Sequence, residues 1–168
     1  MYPLRMIQRK INLFRAWLNK PDFTTRGRLY ITAVGSLGED ITPQDEIPDD
    51  VACAEVINKI HEKTFGFPIL SIREGGASTK LLYYAMVKSS LFQESPEPLS
   101  GSIVISPTGL NNRISKIKNG HIGIIGLNKI IMSNNSSNGL FEENYTIDSW
   151  KKRFVSEGGY PMLFFNRI

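Results

Sequence analysis

Apolar residues recur at helical spacing through the first half of the chain and form short continuous runs through the second. Leu4, Ile7, Ile11, Phe14 and Leu18 share one face of a segment ended by Pro21, which predicts a basic amphipathic helix over about 4–19. Leu29, Ala33, Val34 and Leu37 predict a second helix over about 27–37, stopped by Gly38. After a proline-containing loop at 39–48, Val56, Ile57 and Ile60 mark a third helix. It takes Asp49 or Asp50 as N-cap and stops at Gly66. A fourth runs from Ser78 as cap to Leu91, with Leu81, Leu82, Ala85, Met86 and Val87 as its apolar positions. The run Ser95-Pro96-Glu97-Pro98 then forbids regular structure.

From that point the pattern is that of strands. Residues 102–106, 121–125 and 129–134 read as three of them, the first two separated by a Gly/Asn/Lys-rich loop at 107–120. Thr146 predicts the cap of a late helix carrying Trp150, Arg153 and Phe154. Gly158-Gly159 ends it, and 160–165 forms a last strand. Helices followed by an antiparallel sheet make an α+β domain, with N-terminal helices packed on a small sheet. Two parts are expected: a basic helix and linker at 1–26, and the folded domain at 27–168.

Length and composition narrow the function classes. A chain of 168 residues with 41% hydrophobic and 21% charged content is a soluble globular protein with a sizeable core. One cysteine excludes an internal disulfide framework and a multi-thiolate metal site. With Cys53, His61 and His121 as the whole stock of sulfur and imidazole ligands, structural zinc is not expected. The net charge of +4 is concentrated near the start, in Arg5, Arg9, Lys10, Arg15, Lys20, Arg26 and Arg28. Such a charge attracts polyanions without choosing among them. No specific nucleic-acid partner is expected, while the basic helix allows weak contact with a membrane or an anionic polymer. Arg9, Lys10 and Arg15 interrupt any apolar signal region, so the expectation is synthesis in the cytoplasm without a secretory signal.

The residues that carry chemistry are Cys53 and His121. Cys53 falls in the first turn of its helix, where unpaired N–H groups and the helix dipole lower a thiol's pKa. His61 lies eight residues further along the same helix, about 12 Å away at 1.5 Å per residue, and is out of reach. His121 opens a strand, where a side chain can face a cleft. If Leu127-Asn128 form a two-residue hairpin loop, Gly126 pairs with Lys129 and His121 stands opposite Asn134. A register change of one residue brings Ser133 there instead and exchanges the faces. A thiolate, an imidazole and a group that orients the imidazole are the parts needed for acyl transfer. Amides of the first helical turn can serve as the oxyanion site.

In this order, Asp50-Val51-Ala52-Cys53-Ala54-Glu55, Leu99-Ser100-Gly101-Ser102-Ile103-Val104-Ile105 and Gly120-His121-Ile122-Gly123-Ile124-Ile125 resemble three motifs of one enzyme group. That group is the papain-like peptidoglycan hydrolases of CHAP and NlpC type. Ile131-Met132-Ser133-Asn134 resembles the strand that brings their third polar residue, and the likeness covers roughly residues 28–166. Trp150 and the final aromatic strand are similar to those of phage or prophage endolysins of the group. The resemblance implies a papain-like fold, with Cys53 as nucleophile, His121 as base and acid, and Asn134 as orienter. The third position varies in the group, which leaves Ser133 and Asn135 open. The implied reaction is hydrolysis of an amide in cell-wall peptide through a thioester, without metal or organic cofactor. An enzyme of this kind reaches the wall through a membrane pore or inside a virion. Ser102 stands where the group usually has aspartate.

Two rivals use the same residues: an inactive virion or wall-binding module of the same fold, and an acyltransferase or deamidase. Arg113, Lys116 and Lys118, just before His121, are candidates for drawing an anionic polymer to the cleft. Tyr83, Tyr84, Asn111, Asn112 and Trp150 are candidates for its walls.

Overall fold

The computed structural model describes Ile11 and residues 25–42, 52–113 and 117–168. The expected helix at 4–19 (Ile11 apart), Asp49, Asp50 and Lys116 lie outside the described residues. Helix α1 is Thr25–Gly35 and α2 is Cys53–Phe65. After a single 3-10 turn at Ile72–Glu74 comes α3, Thr79–Lys88. The strands are β1 (Phe92–Ser95), β2 (Ile103–Ser106), β3 (His121–Ile125), β4 (Ile130–Asn134), β5 (Phe141–Thr146) and β6 (Leu163–Arg167). Between β5 and β6 a short helix α4, Ile147–Trp150, continues as a π-helix over Lys151–Glu157. The sheet order is β1-β6-β2-β3-β4-β5, every neighbouring pair antiparallel. An α+β domain with its helices ahead of an antiparallel sheet is therefore observed.

Why the central strands read as continuous apolar runs is clear from their two faces. Ile103, Ile105, Ile122, Ile124, Met132 and Phe165 pack against Leu29 and Ala33 of α1, Val56, Ile57 and Ile60 of α2, and Leu82 and Met86 of α3. On the other face, Val104, Ile125 and Ile131 pack under Trp150 and Phe154. Burying one such aliphatic side chain is worth roughly 1.5–3 kcal/mol, so the helix-side layer fixes which way β2 and β3 face.

Helix ends follow the sequence closely. Gly66 caps α2 at φ 85°, and its N–H donates to the Glu62 carbonyl. The Ser78 hydroxyl accepts from the Leu81 amide at the start of α3, and Thr146 and Ser149 form a reciprocal capping box at α4. Ala52, not the expected Asp49 or Asp50, holds the N-cap position of α2, with no side-chain cap, because the helix begins at Cys53 itself. In α3 only Leu82 and Met86 of the five apolar positions are buried, while Leu81 and Val87 are exposed and the helix ends at Lys88. Ser102 is buried and donates to Asn166 Oδ1 at 2.6 Å. Among the described residues, no helix is long and apolar enough to cross a membrane.

One expectation changes at the β3–β4 hairpin. The loop has three residues, Leu127–Lys129, with Asn128 and Lys129 at φ 52° and 61°. Gly126 N–H donates to Ile130 O, and Ile125 pairs with Ile131 rather than with Ile130. The register is thus one residue away from the two-residue count. His121, Gly123, Ile125, Ile131 and Ser133 consequently share one face, and Asn134 turns to the other.

Candidate active site

Cys53 opens α2 where that helix abuts β3, and His121 is the first residue of β3. Both line a cleft of about 350 Å³ together with Lys118, Asn119, Gly120, Asn134, Tyr145, Arg153 and Phe154. A smaller recess on the other side of Cys53 is walled by Ala77, Ser78, Thr79, Thr108 and Gly120. Cys53, Asn119 and Gly120 border both openings. Of the side chains suggested for the walls, Trp150 is fully buried, and Tyr83, Tyr84 and Asn111 border neither opening. Arg113 donates to the Val155 carbonyl and borders a separate groove, whereas Lys118 reaches the cleft.

The thiol is not activated in the way its helix position suggests. Cys53 is 7% exposed, and burial pushes its pKa up to about 12. The backbone amides of Ile122, Ala54 and Cys53 itself favour the thiolate but are outweighed. Those amides also fix the sulfur's position, between the first turn of α2 and the start of β3. The first intrahelical bond is Val56 N–H to Ala52 O at 3.0 Å, so the Cys53, Ala54 and Glu55 amides have no intrahelical acceptor.

His121 is enclosed on the opposite side of the strand. Its ring stacks on Phe154 at 5.3 Å and 13°, and meets Trp150 and Tyr145 at 5.3 and 5.6 Å. Burial, with the nearby Arg153 charge, lowers its pKa to about 3. Nε2 lies 3.0 Å from Ser133 Oγ. The ring's partner is thus Ser133 rather than the expected Asn134: the longer hairpin loop moves the register by one and sets Ser133 opposite Gly123, diagonal to His121 on the same face. Asn134 still borders the cleft, from the face that carries Cys53. Gly123 makes room for the pairing: a Cβ there would stand 2.7 Å from Ile131 Cγ2 and 3.2 Å from Ser133 Cβ.

No hydrogen bond joins the Cys53 thiol to the His121 ring; at rest Cys53 is a thiol and His121 a neutral imidazole, both bordering the cleft. Sequence reasoning missed Tyr145, Phe154 as the stacking partner of His121, and Asn144, which follows Ser133 in the hydrogen-bond chain. His61 is fully buried and bonds Phe67 O through Nδ1, well within the core and away from the cleft. Among the described residues, no group of three His, Cys, Asp or Glu side chains gathers as metal ligands would. No family model matches the chain, and no curated protein or solved structure does.

Proposed function

We propose that the protein is a papain-like cysteine amidohydrolase or endopeptidase whose nucleophile is Cys53 and whose base and acid is His121. The observation that carries this reading is a helix-start cysteine and a strand-start histidine facing one cleft, with the imidazole held from behind by Ser133. In the reaction, Cys53 Sγ attacks the carbonyl carbon of an amide as His121 takes the thiol proton. The leaving amine then collects that proton from the imidazolium, and a thioester remains. Water, deprotonated by the same imidazole, attacks the thioester carbonyl and releases the acid and the thiol. The first-turn amides of α2, which lack intrahelical acceptors, would bind the oxyanion in this reading.

Because the thiol pKa is high and the imidazole pKa is low, the proton moves as the C–S bond forms rather than beforehand. Among the described residues, Lys118 and Arg153 border the cleft and no acidic one does, which supports a substrate bearing carboxylates. Cell-wall stem peptide answers that description, and the motif resemblance points the same way. A host-released or virion-borne endolysin would meet it at the wall.

Purified peptidoglycan digested with the protein should yield new amine or carboxyl ends identifiable by mass spectrometry. Cys53→Ala and His121→Ala should each lose at least 100-fold in rate while keeping the native circular dichroism. Full turnover by either variant would remove the proposal. A second reading, an inactive binding module, is favoured by one observation: the missing hydrogen bond between thiol and ring. It expects binding of wall fragments that Cys53→Ala leaves unchanged, with no product from the parent protein.

A further inference from the structure

Behind His121 the hydrogen bonds continue to a residue on a third strand. Ser133 Oγ lies 2.6 Å from Asn144 Oδ1, and Asn144 Nδ2 lies 3.3 Å from the Ser133 carbonyl oxygen. Asn144 occupies a β-bulge. Ile131 pairs with Tyr145 and Met132 with Glu143, so Asn144 is the extra residue of β5 with no opposite number on β4. Bulges re-aim side chains. This one turns Asn144 onto Ser133 while Tyr145 meets His121, both on the imidazole face of the sheet.

The proton positions along the chain follow from what each group can do. A main-chain carbonyl only accepts, so the end of Asn144 that faces the Ser133 carbonyl is the NH₂ group. Turning the amide over would set two carbonyl oxygens against each other. Oδ1 therefore faces the Ser133 hydroxyl, and it too only accepts. The single hydroxyl proton of Ser133 is committed to Asn144. Toward His121 the hydroxyl then has only lone pairs to offer, and Nε2 must carry the hydrogen. Nδ1 keeps its lone pair, and it has no hydrogen-bond partner among the described residues.

We propose that Asn144 is a positioning residue which, acting through Ser133, commits His121 to the Nε2–H tautomer and leaves Nδ1 as the proton acceptor. The tautomer assignment stands on these hydrogen bonds alone; that Nδ1 accepts the proton of Cys53 rests on the function proposed above. The relay is uncharged. It orients the ring without stabilising an imidazolium as a carboxylate would, in keeping with a histidine that stays neutral until the thiol proton arrives.

Nitrogen-15 NMR of the imidazole reads the tautomer directly, without substrate. In the parent protein at pH 7, Nε2 should be the protonated nitrogen and Nδ1 the bare one; the reverse assignment overturns the proposal. Asn144→Ala frees the Ser133 hydroxyl to donate, and the His121 signals should shift toward a mixture of tautomers. Signals identical to the parent's would overturn the role of Asn144. Asn144→Asp keeps an acceptor for the hydroxyl and should restore the Nε2–H form; failure to do so in a folded protein also counts against the relay. If Asn144→Ala does not fold, Asn144→Leu, which fills the same space and likewise removes the acceptor of the Ser133 hydroxyl, gives the same reading. Peptidoglycan turnover is a separate arm, with kcat expected to fall roughly 10- to 100-fold in Asn144→Ala and KM to change little. Absence of turnover in the parent protein would remove the hydrolase reading and leave the tautomer result intact.

Discussion

At Cys53, two effects of opposite sign act on one thiol. The start of a helix favours a thiolate, and three backbone amides point the same way, yet enclosure by the core wins and sets the pKa near 12. A sequence displays the helix start and hides the enclosure, because burial depends on β3 closing over α2 from some seventy residues away. The consequence is measurable with a thiol alkylating agent. Since the thiolate is the reacting species, Cys53 should alkylate slowly at pH 6 and about tenfold faster for each pH unit up to pH 9, with no plateau. A fast, flat profile across that range would reveal a thiolate–imidazolium pair instead. His61 had an equally plain sequence context, a mid-helix position out of reach of Cys53. That exclusion agrees with its place in the core, away from the cleft.

Among the elements, legibility depends on where a strand sits in the sheet. Strands β2, β3 and β4 are enclosed by apolar layers on both faces, and their isoleucine-rich runs mark them to within a residue. Phe92–Ser95 and Phe141–Thr146 carry no such mark. They are the two edges of the sheet, where Gln93, Glu94 and Glu143 face water, and charged or polar edges protect against pairing with other chains. The hairpin between β3 and β4 shows how small a misjudgment moves a site: one extra loop residue exchanges Asn134 for Ser133 as the partner of the imidazole. Gly123 holds that arrangement open. In Gly123→Ala the added methyl would meet Ile131 Cγ2 at 2.7 Å and the Met132 carbonyl at 2.8 Å, within a paired strand that cannot step aside. A loss of about 1–3 kcal/mol in denaturant unfolding is expected. A variant as stable as the parent would show that β3 and β4 separate more easily than their packing implies.

For the molecule as a whole, the buried His61 and the half-buried His121 make the fold sensitive to acid. His61 is fully enclosed among Phe65, Phe67 and Phe92, with ring distances of 4.7, 5.5 and 5.6 Å. Its Nδ1–H donates to the Phe67 carbonyl at 2.9 Å, and Nε2 is buried without a partner. The guanidinium of Arg167, near the chain's end, lies over the same three rings at 5.2–5.7 Å. Protonating His61 would place a second cation there with no acceptor for its new N–H. Burial first, then the Arg167 charge, carry its pKa down from 6.5 to about 4, against the raising effect of the Phe67 bond. The unfolded chain therefore binds a proton that the folded one refuses between about pH 6.5 and 4. Stability from this group is whole above pH 6.5 and falls as the pH drops through that window, by roughly 3 kcal/mol. His121, lowered to about 3, extends the loss further into acid. For a domain of this size the His61 share corresponds to about 6–12 °C in Tm. Carboxylates titrate in the same range, so the decisive quantity is the difference between the parent and His61→Phe, which keeps the aromatic packing and removes the proton site. The variant should lose about 1 kcal/mol at pH 7, for the abandoned Phe67 carbonyl, and show a markedly shallower fall in Tm from pH 7 to 4.5. Parallel curves for the two proteins would mean that His61 protonates without disturbing the aromatic cluster, and that the acid sensitivity lies elsewhere.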